Sequence, residues 1–138
     1  VAMLAQYDMR SSANSCYHFH IADAQGGSAV VEYIGSEMNV VQSRAATNFL
    51  LTPGDYPFGK GQDRYAVLQA KLTENGGVFA DTAEAMALLK AVSQDKISEE
   101  TGVYTGTQWS CVYDQSAVGV SIVIGRDYDT VLTLSLAD

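Results

Sequence analysis

Few side chains in this sequence could do chemistry outright. The thiols are Cys16 and Cys111, the imidazoles His18 and His20, and Arg64 is a cation beside Asp63. His18 and His20 stand two apart, so on a strand both point to one face and could grip a metal. No third Cys, His or carboxylate sits at a convincing ligand spacing. Packed, hydrogen-bonded histidines are therefore favoured, and no metal or cofactor is expected. The cysteines lie far apart and form no CxxC pair. They read as two free thiols of a reducing, cytoplasmic compartment, with a single disulfide as the alternative. Arg64 falls at the start of a predicted helix, against the macrodipole, which favours cations at the other end. That local conflict suits a functional placement; a salt bridge to Asp63 or Asp55 is the alternative. The acidic residues Asp95, Glu99 and Glu100 lack the glycine turn and spacing of a calcium loop and read as a solvated face.

The elements that must position these groups follow from periodicity and turn residues. Residues 2–7 could form a helical turn, followed by a small polar stretch over 11–15. Residues 17–23 are strand-like and stop at Gln25-Gly26-Gly27. Residues 29–34 form a second strand, Gly35-Ser36 turns the chain, and 38–41 form a third, which together predict an antiparallel meander. After a loop rich in Pro and Gly, Tyr65, Leu68 and Leu72 recur at helical spacing until Asn75-Gly76-Gly77. A second helix opens at Asp81-Thr82-Ala83-Glu84, the spacing of a capping box, and its predicted apolar face is Ala85, Leu88, Leu89 and Val92. Residues 107–113 return to strand character. Val118, Val120, Ile122 and Ile124 then alternate with small residues, as in a sheet packed closely on both sides. A last strand is expected over 131–136. Trp109 and Cys111 are expected in the core, with a pocket wall as the second role for Trp109. The order of strands, two helices and strands predicts an α+β fold.

Composition sets the outer bounds. With 138 residues, 47% apolar and 17% charged, the chain is long enough for one domain with a real core and is too apolar for disorder. No linker or internal repeat divides it. A net charge of −8 with scattered Lys and Arg leaves no basic stripe for nucleic acid or an anionic membrane. No apolar run reaches the roughly 20 residues of a membrane span. Val1-Ala2-Met3-Leu4 leads straight into polar Gln6, Asp8 and Arg10 and does not resemble a signal peptide. With Val as its first residue, the chain is expected to have its natural start upstream.

Several stretches together resemble the choloylglycine hydrolase family, which includes penicillin V acylase. They are 18–23 with Gly26, Val30-Val31-Glu32-Tyr33, Thr47-Asn48-Phe49, Gly59-Lys60-Gly61-Gln62-Asp63-Arg64-Tyr65, Thr107-Gln108-Trp109-Ser110 and Gly125-Arg126-Asp127-Tyr128. Each is weak alone, but their order and spacing run over nearly the whole chain and align with the second half of such proteins. The resemblance implies the C-terminal part of an αββα N-terminal-nucleophile (Ntn) hydrolase sandwich, residues 1–138 forming a single domain without the nucleophile half. It implies a small linear amide as substrate. In the family a cysteine at residue one attacks the amide, and its own α-amine, which titrates near neutrality, serves as base.

Carried over residue by residue, the resemblance makes Asn48 the oxyanion-hole amide and Arg64 the active-site arginine beside the nucleophile, where its charge would favour the thiolate. Read without the family, Asn48 could simply cap a turn before Pro53-Gly54. Cys16 is internal and has no free amine, so it is not the expected nucleophile. Bile-salt hydrolases usually follow Thr-Asn with a small residue and proline, where this chain has Phe49-Leu50-Leu51. They often carry Ser-Arg-Phe where it has Asp63-Arg64-Tyr65. The substrate reading therefore stops at a linear amide. The chain by itself is expected to be inactive and to form a homo-oligomer through apolar surface that another half would otherwise cover. An acyltransferase of the same superfamily and a stand-alone binding or structural domain are the competing functions.

Overall fold

A computed structural model describes residues 1–7, 17–57 and 59–135. The fold is α+β. After a 3-10 turn at Leu4–Gln6 come β1 (His18–Ala22), β2 (Ser28–Ile34) and β3 (Glu37–Gln42), then helices α1 (Gln62–Glu74) and α2 (Thr82–Ala91). The strands β4 (Trp109–Asp114), β5 (Gly119–Ile124) and β6 (Leu132–Ser135) follow. The strands form two antiparallel three-stranded sheets, ordered β1-β2-β3 and β4-β5-β6. Two compact units, Val1–Gln69 and Ala70–Asp138, make up the chain, and their boundary falls inside α1. The polar stretch 11–15, Cys16 and Leu136 lie outside the described residues.

In the first unit, local turn chemistry sets the meander. The Asp23 carboxylate accepts hydrogen bonds from the Gln25 and Gly27 backbone N–H groups at 3.0 and 2.8 Å, closing the β1–β2 turn. β2 is the central strand and is covered on both faces. Val30 and Glu32 point one way, Val31 and Tyr33 the other, and all four are buried. Ala45 and Leu50 complete this core. The Tyr33 hydroxyl donates to the Leu4 carbonyl at 2.8 Å and ties down the N-terminal turn.

In the second unit, α2 packs on β4. Its start is capped reciprocally. The Glu84 N–H donates to Asp81 Oδ1 at 2.8 Å, and Glu84 Oε2 accepts from the Ala80 N–H at 2.8 Å, one residue ahead of the N-cap. The deepest helix residue is Met86, which the predicted stripe missed; Leu88 and Leu89 are only half-buried.

The register of the second sheet sets Trp109 opposite Ile124, Cys111 opposite Ile122 and Tyr113 opposite Val120. The alternate residues form the covered face, with Ser110, Ser121 and Val123 buried, whereas on the Trp109 face only Val120 is buried. The expectation that this sheet is packed on both sides is thereby corrected. Trp109 is 66% exposed and is no core residue, because the helix covers the other face. Cys111 is half-buried and free. Val118 belongs to the β4–β5 turn, with φ near +50°.

Candidate functional site

The chain from Thr47 to Phe49 is zipped to the glycine-rich approach to α1. The Lys60 N–H donates to the Asn48 carbonyl at 2.8 Å, and the Thr47 hydroxyl donates to the Gly61 carbonyl at 3.0 Å. Gly59 and Gly61 have φ of +109° and +97°, a region that L side chains rarely adopt. Space is short as well. A Cβ at Gly59 would stand 2.8 Å from Phe49 Cβ, and one at Gly61 would stand 2.5 Å from Arg64 Nη2. The glycines thus allow two backbone segments to lie against each other. Behind them, the rings of Phe49 and Tyr65 meet edge to face, with centroids 5.3 Å apart.

This zipper brings both expected site residues together. Arg64 Nη2 donates to Asn48 Oδ1 at 2.6 Å. Among the described residues the guanidinium pairs with neither Asp63 nor Asp55, the alternatives that the sequence offered. Arg64 is half-buried, and its Nε is buried without a hydrogen-bond partner among the described residues. Asn48 is exposed. Because Oδ1 accepts from a group that can only donate, the orientation of the amide is set: Nδ2 is its donor end. An exposed amide N–H beside a fixed positive charge is suited to an oxygen that gains negative charge during a reaction.

Glu32, which the sequence marks only as part of Val30-Val31-Glu32-Tyr33, supports this loop. Glu32 is completely buried, and its carboxylate accepts from the Leu51 N–H at 2.7 Å, the Thr52 N–H at 2.8 Å and the Thr52 hydroxyl at 2.6 Å. It therefore clamps the chain just beyond Asn48 to β2. His18 Nδ1 approaches the same carboxylate at 3.5 Å. The signal in the sequence was a carboxylate in the middle of an otherwise apolar strand, since such a residue is buried only with dedicated partners.

His20 Nε2 lies 2.8 Å from Ser28 Oγ, and that hydroxyl donates to the Ser43 carbonyl at 2.8 Å. With the serine proton committed to Ser43, His20 is the donor in their bond, so the pair is not an activated nucleophile. No group of three or more metal-ligating side chains converges among the described residues. Of the acidic residues 95, 99 and 100, Asp95 pairs with Arg126 at 2.8 Å, and Arg126 Nε donates to Ser93 Oγ at 3.2 Å. The Tyr128 and Ser110 hydroxyls are 2.8 Å apart. The Gly125-Arg126-Asp127-Tyr128 stretch thus ties the turn after β5 to the segment after α2 and to β4.

No helix among the described residues is long and apolar enough to cross a membrane. Comparison with family models, curated proteins and solved structures returns no match to this chain.

Proposed function

We propose that the chain carries the Asn48–Arg64 part of a cysteine Ntn-hydrolase active site, within the C-terminal part of an αββα sandwich, and acts on a small linear amide. The observation that supports this most is the 2.6 Å bond between the two residues that the family resemblance had independently marked. In this reading the nucleophilic cysteine is residue one of a segment preceding Val1. Its α-amine takes the thiol proton, and the thiolate attacks the amide carbon. The tetrahedral oxygen receives a hydrogen bond from Asn48 Nδ2. Collapse breaks the C–N bond, the α-ammonium returns its proton to the leaving amine, and water then cleaves the thioester to release the acid. Arg64 orients Asn48 and supplies a fixed positive charge near the thiolate. The protein is cytoplasmic and needs no cofactor in this reading.

The test is expression of the complete reading frame and assay against a panel of N-acyl amides. The expected result is a cysteine-led upstream segment, turnover through a thioester, and a loss of about 10²–10³ in kcat for Asn48→Ala. Absence of an upstream cysteine segment, or an unchanged kcat in a folded Asn48→Ala variant, overturns the reading. Resolution of the acyl-enzyme by an added amine in preference to water would identify an acyltransferase.

A further inference from the structure

The outer face of the β4-β5-β6 sheet is apolar where a solvated sheet face is ordinarily polar. Trp109, Tyr113, Ile124, Leu132 and Leu134 all lie on it, and they are 66%, 70%, 58%, 53% and 53% exposed. No charged side chain stands among the strand residues of this face. At about 200 Å² for a fully exposed large side chain, the five present roughly 600 Å² of accessible surface. Half-buried Cys111 and Ile122 between them add to it. That area is the top of the range for the largest patches on ordinary monomers, about 300–600 Å², and the lower end of the roughly 600–1,000 Å² that a stable interface takes from each partner.

We propose that this face is a homodimer interface, in which two copies stack their β4-β5-β6 sheets about a two-fold axis. A two-fold contact sets a patch against itself, so the patch must be self-complementary. A charged face would oppose like charges; this one brings apolar side chains against apolar side chains, at the spacing of about 10 Å usual between stacked sheets. Each chain carries a net charge of −8, so whole molecules repel at long range. Salt screens that repulsion and leaves the apolar contact intact, so added salt strengthens the dimer. The pairing is that of this chain by itself; in the hydrolase reading the remainder of the sandwich would cover the same face, and the complete protein would then not pair through it.

Trp109 is the sole tryptophan, so its emission reports on this face directly. The experiment is sedimentation equilibrium of the chain over a wide concentration range, with Trp109 emission and acrylamide quenching followed in parallel. The expected result is a doubling of mass with concentration, accompanied by a blue shift and loss of quenching, both moving to lower concentration in added salt. The Leu132→Glu/Leu134→Glu variant is expected to weaken the dimer at least ~100-fold, since it buries unpaired carboxylates. Thr133→Glu, on the opposite face of the same strand, leaves it unchanged. A monomer at every concentration overturns the proposal, whether Trp109 is open to solvent or shielded by the chain's own residues. So does a dimer in which Trp109 remains quenchable. These wild-type readouts decide the matter even where a variant fails to fold.

Discussion

Arg64 Nη2 lies 2.6 Å from Asn48 Oδ1 although sixteen residues separate them in the chain. The bond is charge-assisted and orients an exposed amide that would otherwise rotate. Its geometry depends on Gly61, whose backbone leaves room for the guanidinium, and on the anchoring of the chain on either side of Asn48.

Removing the guanidinium should release the Asn48 side chain. In Arg64→Met, the Asn48 side-chain amide signals in an NMR spectrum are expected to shift and to show averaging, with a stability loss of about 1 kcal/mol, discounted because the pair is partly exposed. Arg64→Lys should not restore the signals, since an ammonium does not reproduce the planar donor geometry. Unaltered Asn48 signals in Arg64→Met would show that the bond does not orient the amide.

Gly61→Ala should disturb the same signals from the other side. Its φ of +97° and the 2.5 Å approach of a Cβ to Arg64 Nη2 combine backbone strain with a clash. A destabilisation of about 1–3 kcal/mol is expected in urea unfolding. A loss below that range with Asn48 undisturbed would mean that the loop has room to spare.

Glu32 is the residue whose loss should matter most for stability in the first unit. Glu32→Ala leaves the Leu51 and Thr52 N–H groups and the Thr52 hydroxyl without their acceptor, at a cost of about 3–5 kcal/mol. Glu32→Gln keeps the shape but replaces one acceptor oxygen with a donor, so it should rescue little. Thr52→Val should cost about 1 kcal/mol and be non-additive with Glu32→Gln. Denaturant titrations of the three single variants and the double variant provide the check.

The cap of α2 gives a prediction with a defined pH dependence. Asp81→Ala should lower stability by about 1 kcal/mol through loss of the N-cap bond. The Glu84 carboxyl is held below its ordinary value of 4.5, first by the Ala80 N–H and then by Lys71. A carboxyl lowered in the folded state contributes stability above its ordinary value and loses it as pH falls through the folded one. The Lys71 ammonium, raised from 10.5 first by Glu84, contributes below that value and loses its share only as pH rises beyond it. The gap in melting temperature between wild type and Glu84→Gln should therefore be full at neutral pH and shrink below pH 4.5. A gap that stays constant into acid would remove Glu84 from the cap.

The elements themselves were legible in the sequence because their signals are local. Gly26 and Gly35 mark the turns of the first meander, Asn75-Gly76-Gly77 ends α1, and the Asp81–Glu84 spacing opens α2. Strand limits moved by only one or two residues, since a side-chain period of two persists to the turn. Asn48 and Arg64 were singled out by motif resemblance; nothing in their spacing says that they touch.

Tertiary structure alone decided which polar residue is buried and which apolar residue is not. Glu32 lies in the interior and Trp109 on the surface, the reverse of what their types suggest. Alternation along a strand sorts residues into two faces but does not say which face a helix will cover, nor whether another chain segment will bring donors to a carboxylate. Turn and cap preferences act within a few residues, where the sequence is its own environment. Burial is a property of contacts between distant segments, and for Glu32, Trp109 and the Asn48–Arg64 bond those contacts exist only in the folded chain.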